Sequence, residues 1–174
     1  EQSQNLFGDE AVHFLAWTTT PWTLPSNTAL TVGPKIEYSL VRTFNQYTHE
    51  KVSIIAATPL LGKLFGKKFV EGDVNSYSAG DKKIPYEIVR TVIGTDLVGL
   101  RYEQLLPYAL PADNADKAFQ VIPGDFVTTE DGTGIVHTAP TFGADDAKVA
   151  ADAGVPPLLI DDGAGNLVPL VDLQ

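Results

Sequence analysis

Residues 16–30 read AWTTTPWTLPSNTAL. Three hydroxyls stand in a row, Thr18, Thr19 and Thr20, between Trp17 and Trp22, which are the two tryptophans of the chain. Pro21 and Pro25 follow at once. The residues just upstream make AVHFLAWTT (11–19) a strand by its branched and aromatic content, and TALTV (28–32) reads as the next one. A strand, a corner broken by proline and a second strand point to a β-rich fold. In such a strand Thr18 and Thr20 share one side and Thr19 takes the other. Backbone groups at its end lose their ladder partners before Pro21 and can meet a ligand. Threonine also favours strands and turns for conformational reasons alone, so chemistry by itself leaves both readings open.

Outward from that corner the period stays near two. EYSLVRTF (37–44), KVSIIAAT (51–58), IPYEIVRTV (84–92), KAFQVI (117–122) and GIVHTA (134–139) read as strands. PLLGKLFG (59–66) fits a short helix opened by Pro59. The period changes in GADDAKVAADAG (143–154), a helix that Gly154 and Pro156 stop. PLLIDDGAGNLVPLV (157–171) reads as two short strands about a DDGAGN turn. Many short strands with one or two helices predict a mainly β, α+β domain, a closed or half-closed barrel with peripheral helices.

The bulk numbers narrow the classes. The chain has 174 residues, a formal net charge of −10 and no cysteine. A disulfide scaffold, a thiolate nucleophile and a cysteine zinc site are thereby excluded, and so large an acid excess argues against wrapping duplex nucleic acid. Lys63, Lys67 and Lys68 form the one basic cluster, which reads as a solvated edge. No run resembles a membrane span or a signal peptide. Methionine is absent, position 1 included, so a segment of a longer or processed chain is expected.

Several motifs fail on inspection. GKLFGKK lacks the spacing and the Ser or Thr of a phosphate loop. GTGIVH places His137 where a dinucleotide fingerprint needs its third glycine. His13, His49 and His137 have no metal-ligand spacing, and no serine sits in a nucleophile elbow.

Two further segments remain beside the threonine row. In GTGIVHTAP (132–140), Ile135, His137 and Ala139 share a strand face, and Gly132 and Gly134 permit close backbone approach; a lone histidine there is more often a satisfied core residue than a catalyst. On the helix, Asp146 shares its stripe with Val149, Ala150 and Ala153, while Asp145 faces outward with Lys148. An inward carboxylate in a first helical turn requires a partner. No nearby Lys or Arg supplies one, and a ligand ammonium would.

AWTTTPWTLPSNTAL followed about a hundred residues later by GTGIVHTAPTFGADD resembles the editing domain of isoleucyl-tRNA synthetase, inserted in the class I synthetase catalytic domain. The valine and leucine branches usually carry TTRPET or TTRPDT at the first motif, with arginine at the place of Thr20. The resemblance covers two long motifs, and the signatures of the synthetic site (HIGH and KMSKS) are absent. It implies a closed β-barrel editing fold over 1–174, with 1–10 and 170–174 as connections to the parent catalytic domain. It implies hydrolysis of the ester of valine wrongly joined to the 3′ acceptor end of isoleucine tRNA, in the cytoplasm, with no membrane and no metal or cofactor for editing. ATP and magnesium would serve the absent synthetic domain.

By resemblance, Thr18, Thr19, Thr20 and Asp146 are the catalytic set, with Trp17, Trp22, Thr23, Gly134 and His137 binding substrate. Asp146 would hold the α-ammonium, and His137 would help exclude isoleucine. Members commonly read GHGxDD before the helix, whereas this chain has Phe142 in place of that histidine. A free-standing deacylase and a non-catalytic module gripping the acceptor end are the rival readings.

Overall fold

In the computed structural model, residues 6–170 are described; the outer parts of the two expected connections, 1–5 and 171–174, lie outside them. Strand β1 is Val12–Phe14, β2 Ala29–Val32, β3 Glu37–Phe44 and β4 Lys51–Ala57. Then come β5 (Phe69–Glu71), β6 (Ile84–Ile93), β7 (Gln120–Pro123), β8 (Ile135–Thr138), β9 (Leu159–Asp161) and β10 (Leu167–Pro169). The α-helices that lie wholly within the described residues are α1 (Leu61–Phe65), α2 (Gly94–Leu97) and α3 (Ala144–Asp152). They form a five-stranded sheet ordered β1-β4-β3-β6-β5, a three-stranded sheet ordered β7-β2-β8 and the β9–β10 hairpin.

The expected barrel is not what forms. The larger sheet ends at β1 and β5 and the smaller at β7 and β8, and no sheet of the described residues closes. The same period-two patterns are satisfied by stacking. Leu30, Val32, Val121 and Ile135 from the small sheet meet Tyr38, Leu40, Ile55 and Ala57 from the large one in a single buried cluster. On the outer face of the small sheet, Ala29 and Ile122 pack with Ala150 and Val155 at α3. On the outer face of the large sheet, Val41 and Ala56 pack with Leu61 and Phe65 of α1. Both sheets are thus covered on two faces, which is why β2 (ALTV) is buried at every position.

The strand expected over 11–19 stops at Phe14. Beyond it the chain leaves the large sheet and attaches to the small one. The Trp17 amide donates to Ile135 O at 2.9 Å, and the His137 amide donates to Trp17 O at 3.3 Å. Pro21 and Pro25, read as breakers, lie within a 3-10 helix, Pro21–Ser26; proline suits its first position, where no amide donor is required. Short edge strands at β1 and β5 limit the exposed ladder.

Candidate functional site

Where the chain crosses from one sheet to the other, a cavity of about 270 Å³ opens. Its lining is Trp17, Thr18, Thr19, Thr20, Thr23, Val136, His137, Phe142, Gly143 and Asp146. The 3-10 helix turns Thr23 back under the row. Strand β8 brings His137, and the first turn of α3 brings Asp146. Segments a hundred residues apart in sequence therefore meet across one opening.

The hydroxyls differ in what they are free to do. Thr18 Oγ1 accepts the Thr20 amide at 3.0 Å, an ST turn that replaces the strand expected here. Thr20 Oγ1 lies 3.4 Å from Thr18 Oγ1 and 3.3 Å from Thr23 Oγ1. The Thr23 hydroxyl donates to Thr20 O at 2.8 Å, so its oxygen can only accept from His137 Nε2, 2.9 Å away. Thr23 is committed. With the Thr23 proton engaged on Thr20 O, the 3.3 Å contact has Thr20 donating to Thr23 Oγ1. Thr18, and Thr19, which lines the cavity and makes no side-chain hydrogen bond among the described residues, keep donors for a bound molecule.

His137 is buried, and loss of water holds its pKa down to about 4. Its Nδ1 lies 2.8 Å from Asn27 Nδ2. The amide orientation is fixed independently, because Asn27 Nδ2 also donates to Ala29 O at 2.8 Å and Thr138 O at 3.3 Å. Nδ1 therefore accepts, and Nε2 carries the proton toward Thr23. A neutral ring with both nitrogens engaged is a wall and an anchor, not a base.

Asp146 is half-buried, and its Oδ2 accepts the Ala139 amide at 2.8 Å. That bond ties the start of α3 to the end of β8. Loss of water raises the carboxyl pKa, the Ala139 amide opposes this, and the neighbouring Asp145 adds to the rise. No lysine or arginine lines the cavity, and among the described residues no ion pair forms with Asp146. The carboxylate thus has one neutral donor and no countercharge.

Two candidates are placed elsewhere. Trp22 is 62% exposed and does not line the cavity. Gly134, at φ +76°, lies in the core, where a Cβ would come within 2.4 Å of Ala57 Cβ, and its carbonyl accepts the Tyr38 hydroxyl at 2.6 Å. Its glycine is demanded by packing between the sheets. Trp17 does line the cavity, resting on Gly132, where a Cβ would meet its ring at 2.9 Å. Phe142, at the opening, is held by a turn in which its amide donates to Ala139 O at 3.0 Å.

Sequence reasoning passed over Asn27. An asparagine directly before a buried strand was its one signal. Tyr102, which donates to Asn27 Oδ1 at 2.5 Å, gave no signal at all.

Comparison with known proteins supplies the family. The isoleucine–tRNA ligase of Cytophaga hutchinsonii is 59% identical over 160 residues, and that of Bacteroides fragilis 55% over 161; each match takes in 92% of this chain. The chain belongs to the isoleucyl-tRNA synthetase family. It spans 14% of the length of these relatives, so it corresponds to a segment of a synthetase. No protein-family model matches it. The editing domain of Plasmodium falciparum cytosolic leucyl-tRNA synthetase superposes on the segment with a TM-score of 0.61 at 19% identity, over 86% of this chain and 48% of that one. The segment thus has the fold of a synthetase editing domain. None of its helices, among the described residues, is long and apolar enough to cross a membrane.

Proposed function

We propose that this synthetase segment edits: it hydrolyses the ester that joins valine to the 3′ end of isoleucine tRNA and spares the isoleucyl ester. The observation that carries this reading is Asp146, a half-buried carboxylate without countercharge, facing hydroxyl donors in the same small cavity. An aminoacyl ester presents an ammonium beside a carbonyl, and this arrangement is complementary to both.

Asp146 binds the α-ammonium, and the ammonium offsets the desolvation cost of the carboxylate. Thr18 and Thr19 direct their uncommitted hydroxyls at the ester and at a water. Trp17 and Phe142 border the opening where the terminal adenosine enters. Water attacks the acyl carbon, the bond to the ribose oxygen breaks, and the proton is delivered to that oxygen; valine and free tRNA leave. Positioning and hydrogen-bond stabilisation of the developing oxyanion supply the acceleration. A committed, neutral His137 forms the side-chain wall with Val136, and one further methylene there meets packed atoms.

Such a second pocket answers a physical need. A synthetic site that accepts isoleucine distinguishes valine by only about 1–3 kcal/mol. The test is deacylation of valyl- and isoleucyl-tRNA for isoleucine by this chain at low salt, with Asp146→Ala alongside. Selective loss of valine, abolished by the substitution, is the expected result. Equal cleavage of both esters would remove the size sieve. Binding of an aminoacyl-adenosine mimic without turnover would reduce the segment to a module that grips the acceptor end.

A further inference from the structure

Behind His137 lies a second cavity of about 340 Å³, lined on its near side by Tyr102, Asn27 and His137. One chain of hydrogen bonds runs from it into the editing cavity, and its direction is set at every link. Tyr102 donates to Asn27 Oδ1 at 2.5 Å. Asn27 Nδ2 donates to His137 Nδ1, His137 Nε2 donates to Thr23, and Thr23 donates to Thr20 O. Asn27 has one carbonyl oxygen, and Tyr102 occupies it. The NH₂ has two hydrogens for three acceptors, Ala29 O, Thr138 O and His137 Nδ1; the two carbonyls alone could take both, and the Tyr102 hydroxyl on Oδ1 sets the amide angle at which one of them meets Nδ1.

The Tyr102 ring is itself held. It meets Phe119 edge-on, with centroids 6.2 Å apart at 82°. Phe119 adopts a left-handed backbone at φ +59°, unusual for a bulky residue and maintained only where surroundings fix it. Its amide donates to Thr28 O at 2.7 Å, and its carbonyl accepts the Tyr102 amide at 3.0 Å. Tyrosine and its partner are thus clamped to the loop that carries Asn27.

We infer that Tyr102, which touches no part of the editing cavity, is a positioning residue for that site: through Asn27 it holds His137 in the Nε2–H tautomer that orients Thr23 and the threonine row. The tautomer follows from geometry alone, whereas its consequence for turnover rests on the editing reading above. Asp146 faces His137 across the first cavity, and His13 and Glu103 line the second; these are the titratable groups around the ring beside Tyr102 itself.

The experiment is Tyr102→Phe in this chain, read by long-range proton–nitrogen spectra of the His137 ring and by valyl-ester deacylation. Tyr102→Leu serves as the control for loss of the ring. Tyr102→Phe keeps the contact with Phe119, so the fold is retained. The expected results are a single Nε2–H tautomer in the parent, a mixture in Tyr102→Phe, and kcat reduced about tenfold with KM within twofold. An unchanged ring spectrum in Tyr102→Phe overturns the proposal, as does a changed spectrum with unchanged kcat. An effect confined to Tyr102→Leu also overturns it, since packing would then be the whole role. If the parent cleaves no ester, the ring spectra still decide the Tyr102 tie, and the editing reading alone fails.

Discussion

On the editing reading, Asp146 is expected to separate function from stability at the level of one side chain. Its pKa is raised, so its ionised form is disfavoured by the fold, and the stability linked to its protonation is lost as pH rises through the folded pKa. Asp146→Asn keeps an acceptor for Ala139 and removes the desolvated charge. It is expected to melt at or above the parent temperature at pH 7, while valyl-ester deacylation falls at least a hundredfold; a marked loss of stability would show the charge to be structural. His137 has the opposite linkage. Its folded pKa of about 4 lies below the ordinary 6.5, so its contribution is complete above pH 6.5 and is lost as pH falls toward 4. Unfolding free energy is expected to drop by about 2 kcal/mol between pH 7.5 and 5 from this residue. Denaturant titrations of the parent and of His137→Gln check it, since the variant lacks that share of the slope. Both residues were legible in sequence because each was the wrong polarity for its face. The committed state of His137 was not, since it depends on Asn27 and Tyr102, which no local pattern connects to it.

Among the elements, most strands were readable, and β3 matches its expected bounds, Glu37 to Phe44, although its alternation is partial and its register against β6 shifts between Leu40 and Val41. The failure at 15–20 has a specific cause. Branched and aromatic residues there suit a strand, but Thr18 captures the Thr20 amide and the backbone transfers to β8. β5 and α2, only three and four residues long, carry too few periods to be seen. The two sheets are joined by a side chain that sequence did not single out. The fully buried Tyr38 hydroxyl accepts the Gly33 amide at 2.9 Å and donates to Gly134 O, linking the turn after β2 to the start of β8. Tyr38→Phe strands both groups and is expected to cost about 2–3 kcal/mol by chemical denaturation. Gly134→Ala, which needs a left-handed backbone and displaces Ala57, should cost at least as much. A neutral result for either would mean that the sheets readjust freely.

At the scale of the molecule, the proposed editing role has to fit a net charge of −10, which would confine contact with tRNA to a short single-stranded end. If three phosphates are neutralised, affinity is expected to fall roughly 20-fold between 50 and 200 mM salt. Deacylation measured across that range should show the change in KM with kcat constant; a flat KM would mean that the ribose and amino acid alone are recognised. The overall class was legible from strand content, but closure was not, because a barrel and two stacked sheets bury the same alternating residues. That difference bears on how the pocket is dimensioned. Its threonine row follows the crossing from β1 to the small sheet and is pinned beside the histidine of β8 through the Trp17–Val136 bridge. On the editing reading, the width available to an amino-acid side chain therefore depends on how that crossing is held, and Gly134 lodged against Ala57, between the sheets, sets it as much as anything facing the substrate. Selectivity in this fold could be recalibrated from the seam, by residues that never meet the molecule being sorted.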